Sequence, residues 1–374
     1  MKVLFLTDGL APFVIGGMQQ HSTMMVKHLA PLVEEITVMH CGYPNKEPAS
    51  DNDVLGVLGS PSNVSVIGFV FTDHSFFPGH YVRASKKYSL NLYNTISKDL
   101  SVFDVIYAQG FTGYAFIWKH KKLVSNLHGL NMFQESFSMR EKVDKLLLKF
   151  IAKNILVNSY RVISLGGALS KILLSIGVKS ERIVVSQNGI EAKYILSLSE
   201  AKQKSEHLDS MLLRLVFIGR NDKVKGLHVL RKALSQMNRP VHLTLVGDLD
   251  LGRRDFHDLD CVGVIDSKEK LMNIIDKSHA LVVPSLSEGM PTVILEAMAR
   301  GKAIIATDVG AVSELVDDSN GKLVPPNDAQ ELANAIKNLG DTDIKKASEQ
   351  SLEKVASFTW DEISNRFLTE MISY

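Results

Sequence analysis

The sequence predicts an α/β protein built from two doubly wound, mostly parallel sheets. Three observations carry that prediction. Short apolar runs appear without polar alternation, as in strands covered on both faces. Helical stretches lie between several of them, and strands alternating with helices build parallel sheets. After a polar stretch at 197–210 the alternation starts again, so the 374 residues divide into two domains of one class.

Taken in order, residues 2–7 read as a buried strand, continuously apolar. A loop, APFVIGGMQQH, leads into a helix over about 18–29, with Gly16 and Gly17 immediately before it. A glycine pair there lets backbone approach a ligand closely and leaves N–H groups for an anion; a tight loop with no ligand is the plainer alternative. Strands follow at 36–40, 64–69, 105–108, 123–127, 162–165 and 183–186. His128 and Gly129 come directly after the run LVSNL, at the carboxyl edge where open α/β sheets bind ligands. A structural histidine is the competing reading.

The segment 140–155, REKVDKLLLKFIAKNI, is an amphipathic helix carrying Lys142, Lys145, Lys149 and Lys153. With Lys119, Lys121 and Lys122 upstream, it is either a basic, partly apolar face toward anionic lipid or a domain helix with a solvated lysine side. Around 187–189 the pattern resets. Strands of the second series are expected at 213–219, 241–247, 280–283, 303–307 and 321–326, and a final helix at about 361–374. Two such lobes would leave a cleft between them, the usual place for a small-molecule site.

Composition narrows the function. Hydrophobic residues make up 45% and charged residues 22%, the balance of an ordinary globular protein with sizeable cores. A net charge of +1 gives no field that would draw nucleic acid. Cys41 and Cys261 form neither a disulfide framework nor a metal spacing, which fits a reducing compartment. The opening MKVLFLTDGLAP is too short in its apolar run for a signal peptide and is broken by Asp8 and Gly9. No run of roughly 18 to 20 apolar residues would span a membrane. A cytoplasmic protein is expected.

The stretch 281–300, LVVPSLSEGMPTVILEAMAR, organises the second half. A strand ends at Pro284, a polar loop covers 285–289, and Pro291 opens a helix. Glu288 then sits on a loop at a helix N-terminus, while Glu296 lies inside the helix, roughly 7 to 8 Å up its axis from Pro291. Backbone N–H groups over 289–292 and the positive helix end attract phosphate. Glu296 is an acid in an apolar setting that a hydroxyl-rich ligand would satisfy. The plain alternative pairs Glu296 with a neighbouring cation and leaves Glu288 solvated.

Directly after LVFIG comes RNDKVKG, placing Arg220 and Lys225 on the loop before a helix near Leu227. Two cations beside a helix N-terminus suit a diphosphate leaving group that no metal neutralises. Asp248-Leu249-Asp250 and Asp258-Leu259-Asp260 each spell D-x-D, a pattern that can hold a divalent metal. In the polar insertion GDLDLGRRDFHDLD they read as solvated loop acids beside Arg253 and Arg254. No His or Cys cluster suggests zinc.

These residues together resemble the family-4 retaining glycosyltransferases of the GT-B fold. The likeness rests on the E-x7-E spacing of Glu288 and Glu296, on GRNDKVKG, on QNGIE at 187–191, on GGMQQH at 16–21 and on HG at 128–129. It covers nearly the whole chain and is strongest over 213–335. It implies two Rossmann-like lobes, an acceptor lobe over 1–190 and a donor lobe over 191–357. A terminal helix, 358–374, would pack back on the first lobe. It implies a nucleoside diphosphate sugar as substrate, a UDP-sugar ahead of a GDP-sugar, with no cofactor and no metal. Arg220 and Lys225 would hold the diphosphate with backbone groups of Gly16 and Gly17, and Glu296 would accept the ribose hydroxyls. Glu288, Gly289, Met290, Pro291 and Thr292 would contact the donor sugar, and His128 would lie near its C6 hydroxyl. The base would sit against backbone near Val264 and Asp266. Three departures are visible: GMPT replaces a glycine-rich wording, NGIE replaces NGID, and no Gly-Pro follows LVGD.

A transferase acting on a glycan or lipid-linked acceptor in surface polysaccharide, lipopolysaccharide or glycoconjugate synthesis is therefore the leading expectation. Its place would be the cytoplasm, or the inner face of the cell membrane if the lysine helix meets lipid. A nucleotide-sugar epimerase of the same fold would interconvert its substrate without an acceptor, and the E-x7-E spacing argues against it. A non-catalytic sugar-nucleotide-binding protein is opposed by the retention of His128, Arg220, Lys225, Glu288 and Glu296. No oligomeric state is read from the sequence.

Overall fold

Val3 and Phe5 point to one side of the first strand and Leu4 and Leu6 to the other, and all four are fully buried. That is why the run is apolar throughout: helices cover both faces of the sheet it belongs to. The computed structural model describes residues 1–73, 79–134, 139–206, 208, 212–237, 240–249, 258–265 and 267–372.

Contacts divide the chain into two units, Met1–Asn188 with Trp360–Tyr374, and Gly189–Thr359. The first holds β1 (Lys2–Leu6), α1 (Gly17–Leu29), β2 (Glu35–Cys41), α2 (Asp51–Leu58), β3 (Val64–Phe69), α3 (His80–Ile96), β4 (Val105–Gln109), β5 (Leu123–Asn126), α4 (Met139–Asn158), β6 (Arg161–Ser164), α5 (Gly167–Ser175) and β7 (Ile183–Val185). The seven strands run parallel in the order β3-β2-β1-β4-β5-β6-β7, with Phe5 opposite Val38 on one side and Tyr107 on the other. Val3 and Phe5 pack with Met25, Val26 and Leu29 of α1, while Leu4 and Leu6 pack with Tyr88 and Leu92 of α3 and Phe116.

The second unit holds α6 (Leu198–Ser205), β8 (Leu213–Ile218), α7 (Leu227–Leu234), β9 (Val241–Val246), β10 (Leu259–Gly263), α8 (Lys268–Asp276), β11 (Ala280–Val283), α9 (Thr292–Ala299), β12 (Ala303–Thr307), β13 (Gly321–Val324), α10 (Ala329–Lys337) and α11 (Asp341–Val355). Its six-stranded sheet has the order β10-β9-β8-β11-β12-β13, every named pairing parallel. The core on one face joins Leu215, Phe217, Val282 and Ile305 to Leu230 of α7 and Leu332 and Ile336 of α10. The chain then returns to the first unit in α12 (Trp360–Ile372), whose Phe367 and Met371 pack into the cluster around Phe5 and Met25.

Two sequence expectations change. The expected boundaries at 190 and 358 shift by one or two residues. Ile190 N–H donates to the Phe358 carbonyl at 2.8 Å and Ile190 bridges Thr359, so residues 190 and 358–359 belong to the second unit. The acids of the D-x-D at 258–260 are exposed, as expected, but the motif is not all loop: Asp260 lies in β10, an edge strand exposed enough to lack an apolar signature, and His242 Nδ1 sits 2.7 Å from Asp258 Oδ1 just before it. Asp248 is exposed, as expected; Asp250, Arg253, Arg254 and Asp266 lie outside the described residues. Ser50 caps α2 by accepting from Asp53 N–H at 3.2 Å.

Candidate functional site

In each sheet the strand order reverses beside a central strand, β1 against β4 in the first unit and β8 against β11 in the second. Ligands of doubly wound sheets bind at the carboxyl ends of such strand pairs. In the second unit the loop after β8 carries Arg220 and Lys225, and the loop after β11 carries Glu288.

These two loops are locked together through backbone. Gly226 has φ +70°, and a Cβ there would lie 1.9 Å from the Pro284 carbonyl oxygen, so no other residue fits without moving β11. Leu286 N–H donates to the Val224 carbonyl at 2.7 Å alongside. Gly310 supports the Glu288 loop from the opposite side: at φ +58°, its Cβ would stand 2.3 Å from the Glu288 carbonyl oxygen, and Ala311 N–H donates to Gly289 O at 2.8 Å.

Held this way, the side chains meet. Lys225 Nζ and Ser285 Oγ both donate to Glu288 Oε1, each at 2.7 Å. Glu288 is therefore paired, its side chain only 11% exposed, and the solvated reading is corrected. Arg220 is exposed and its guanidinium bonds to no described residue. Met290 and Pro291 are buried, and α9 begins at Thr292 with no side-chain cap, so its first amides keep their ordinary need for an acceptor.

Glu296, one turn into α9, is 5% exposed. One carboxylate oxygen pairs with Lys268 Nζ from the start of α8. The other, Oε2, is buried with no hydrogen-bond partner among the described residues. The expectation of a neighbouring cation thus holds for half of the carboxylate. The unpaired half is costly to bury. Val264, after β10, is 76% exposed.

In the first unit, Gly17 is the first residue of α1 rather than a residue before it, and Gly16 is its cap. A Cβ on Gly17 would meet nothing within 4 Å, so packing within the chain does not require glycine there. His128 has φ +54° and its N–H donates to Asn126 Oδ1 at 2.9 Å. Its Nε2 bonds Gln109 Oε1, and burial, helped by the nearby His21, pulls its pKa well below the ordinary histidine value. The ring is neutral at neutral pH, a hydrogen-bonding group and not a charge.

Two family models match the chain: glycosyltransferase family 4 over residues 15–194 and glycosyl transferases group 1 over residues 213–341. The chain belongs to the family-4, group 1 glycosyltransferases. The amylovoran biosynthesis glycosyltransferase AmsK of Erwinia amylovora is 28% identical over 221 residues, 54% of this chain and 53% of that protein, so the match spans about half of that relative. The putative teichuronic acid biosynthesis glycosyltransferase TuaC of Bacillus subtilis is 33% identical over 121 residues, 32% of this chain and 31% of its own. Among solved structures, Anabaena Alr3699/HepE in complex with UDP superposes with TM-score 0.70 at 22% identity over 100% of both chains. Sucrose-phosphate synthase from Thermosynechococcus elongatus gives 0.76 at 21%, covering 98% and 97%. The shared fold is GT-B.

For this glycosyltransferase family member, sequence reasoning missed His21 and Lys268. His21 is 1% exposed; its Nδ1 lies 3.0 Å from Asn188 Oδ1, its Nε2 3.3 Å from Tyr107 Oη, and its ring meets His128 edge-on at 4.7 Å. Burial pushes its pKa down to about 4. Its signal was present: His21 shares the buried face of α1 with Met24 and Met25, where a polar side chain needs a partner. Lys268 had none, since its partner lies 28 residues away.

Proposed function

We propose that this chain is a metal-independent, retaining glycosyltransferase. It moves a sugar from a nucleoside diphosphate sugar, UDP-linked ahead of GDP-linked, to a glycan or lipid-linked acceptor in surface polysaccharide, lipopolysaccharide or related glycoconjugate synthesis. The observation that carries this is the pairing state of the second unit's side chains. Glu296 buries a carboxylate oxygen that a ribose hydroxyl would satisfy, while Lys225 and Arg220 stand on the adjoining loop as cations for a diphosphate. Glu288 holds Lys225 in place until the phosphate arrives, so the cation needs no reorganisation during reaction. The amides at Gly289 and Thr292 add the positive end of α9.

The chemistry follows. The acceptor hydroxyl attacks the anomeric carbon from the face the phosphate leaves, the C–O bond to phosphate breaks, and the departing phosphate oxygen takes the proton. Configuration is kept. Arg220 and Lys225 stabilise the charge that develops on the leaving group. In the first unit, neutral His128 hydrogen-bonds the sugar, and the amides of Gly16 and Gly17 serve the phosphate. UDP as the nucleotide is supported by Alr3699/HepE, solved with UDP and with UDP-glucose. Polysaccharide assembly is supported by the amylovoran and teichuronic acid relatives.

A thermal-shift screen of UDP-, GDP-, ADP- and TDP-sugars in EDTA tests this reading. At 100 times its Kd a ligand adds about 2.7 kcal/mol, enough to raise the melting temperature by several degrees. The expected result is a shift with UDP-sugars in EDTA. A shift that requires added Mg2+ or Mn2+ refutes metal independence, and no shift with any sugar nucleotide refutes the donor assignment.

Among the described residues no helix is long and apolar enough to cross a membrane. On α4, however, Val143, Leu146, Leu147 and Phe150 form an exposed stripe at helical spacing, with Leu146 68% and Phe150 78% exposed. Exposed Lys142 and Lys153 and half-buried Lys149 lie on the same helix. Lys145 does not join them: it is buried, and its Nζ donates to the Gln134 carbonyl. We assign this stripe to the surface of an anionic membrane, which would bring the enzyme to a lipid-linked acceptor. Sedimentation with anionic liposomes should weaken severalfold when Lys142, Lys149 and Lys153 become glutamine; binding that ignores the change returns α4 to a solvent-facing role.

A further inference from the structure

We infer that Asp8 binds a hydroxyl of the acceptor and so decides which hydroxyl is presented for glycosylation. The inference rests on the transferase reading above. Asp8 follows β1 at the carboxyl edge of the first sheet, at the point where β1 and β4 part and the strand order reverses. Gln19, from the first turn of α1, donates to Asp8 Oδ1 at 3.1 Å. The other oxygen lies over Gly110, the residue after β4, where a Cβ would come within 3.6 Å of it. The Met18 side chain comes as close to that position, so this oxygen sits between Gly110 and the Met18 thioether.

The pairing of Asp8 is unlike that of its neighbour at the same edge. Asp73, beyond β3, is held by His80 Nδ1 at 2.9 Å. Among the described residues Asp8 has neutral donors and no cation, although it is partly exposed. The titratable groups that sense it are Cys41 of β2 and Tyr81 and Tyr88 of α3. Burial holds Cys41 and Tyr88 well above their ordinary values, the Cys41 thiol at about 12, and the phenol of the more exposed Tyr81 is also shifted upward, so none carries charge near neutrality. Burial likewise raises Asp8 to about 6. A partly exposed carboxylate held by neutral N–H donors, its own backbone amide and Gln19, with no counter-charge among the described residues, suits a sugar hydroxyl. A metal ion would need further ligands, and no group of three potential ligands occurs among the described residues.

The test uses the full chain with UDP-glucose or UDP-galactose. Acceptor probes are octyl β-glycosides of glucose, galactose and N-acetylglucosamine, and the membrane fraction of the producing cells. Asp8→Asn keeps the shape and the Gln19 contact. Its kcat/KM for acceptor should fall roughly tenfold or more, the scale of one hydrogen bond to a charged group. Release of UDP in the absence of acceptor should stay within twofold. In the unaltered chain, acceptor kcat/KM should fall as pH drops through about 6, because the accepting oxygen becomes protonated. Asp8→Asn should remove that limb. Unchanged acceptor efficiency overturns the assignment. So does a parallel loss of acceptor-free UDP release, which would make Asp8 a structural prop for the α1 turn. Absence of any transfer or UDP release by the unaltered chain would instead refute the transferase reading itself.

Discussion

Replacing Lys225 by alanine is expected to lower turnover on the order of 10² or more, the scale seen when one group that stabilises a developing charge is removed. The loop that carries Lys225 is fixed by the Gly226 and Leu286 backbone contacts, not by its ammonium, so the variant should fold with little change in stability. Lys225→Ala also removes the ammonium that faces Glu288 Oε1, so less positive charge is left beside the proposed phosphate position. Lys225→Arg keeps charge but not the compact shape, and recovers only part of the rate. Turnover measured at saturating UDP-sugar decides it. A Lys225→Ala enzyme as fast as the parent would remove this cation from the mechanism.

The second large effect is on affinity. Glu296→Ala removes the buried acid whose Oε2 has no partner among the described residues, and the loss of hydrogen bonds to a charged group costs about 1.5 to 3 kcal/mol. That corresponds to a Kd for UDP-sugar raised roughly 10- to 100-fold. Stability should hold or rise slightly, because Lys268, 37% exposed on its side chain, can turn to water while a poorly satisfied buried carboxylate disappears. Calorimetric titration of the variant with UDP checks the first half and thermal melting the second. Equal affinity in the two proteins would mean that Glu296 serves Lys268 and not a ligand.

Much of the fold was legible because most of its strands are covered on both faces, which leaves continuous apolar runs such as KVLFL and AIIAT. β10 escaped for the opposite reason. It is an edge strand with a register shift between Cys261 and Gly263, three of its five residues are exposed, and nothing in LDCVG separates it from the acid-rich loop before it. At the site, Glu288 and Glu296 were readable because an acid at a strand end or on an apolar helix face demands an explanation. Their partners were less so. Lys225 was marked as a phosphate ligand, but its bond to Glu288 depends on two loops meeting through Gly226 and Pro284, 58 positions apart in chain number. Asp8 was seen only as the residue that breaks an apolar run. Its neighbourhood of Gln19, Gly110 and Tyr81 exists only after α1, β4 and α3 have come together.

The last helix has a consequence for synthesis. Phe367 and Met371 fill the cluster around Phe5 and Met25, yet the whole second unit is translated before they emerge from the ribosome. While β8 to α11 is being made, the nascent first sheet carries an open apolar slot beside α1, and only the final helix closes it. A chain cut short anywhere before residue 360 would therefore keep that slot exposed, even with the full E-x7-E block already folded.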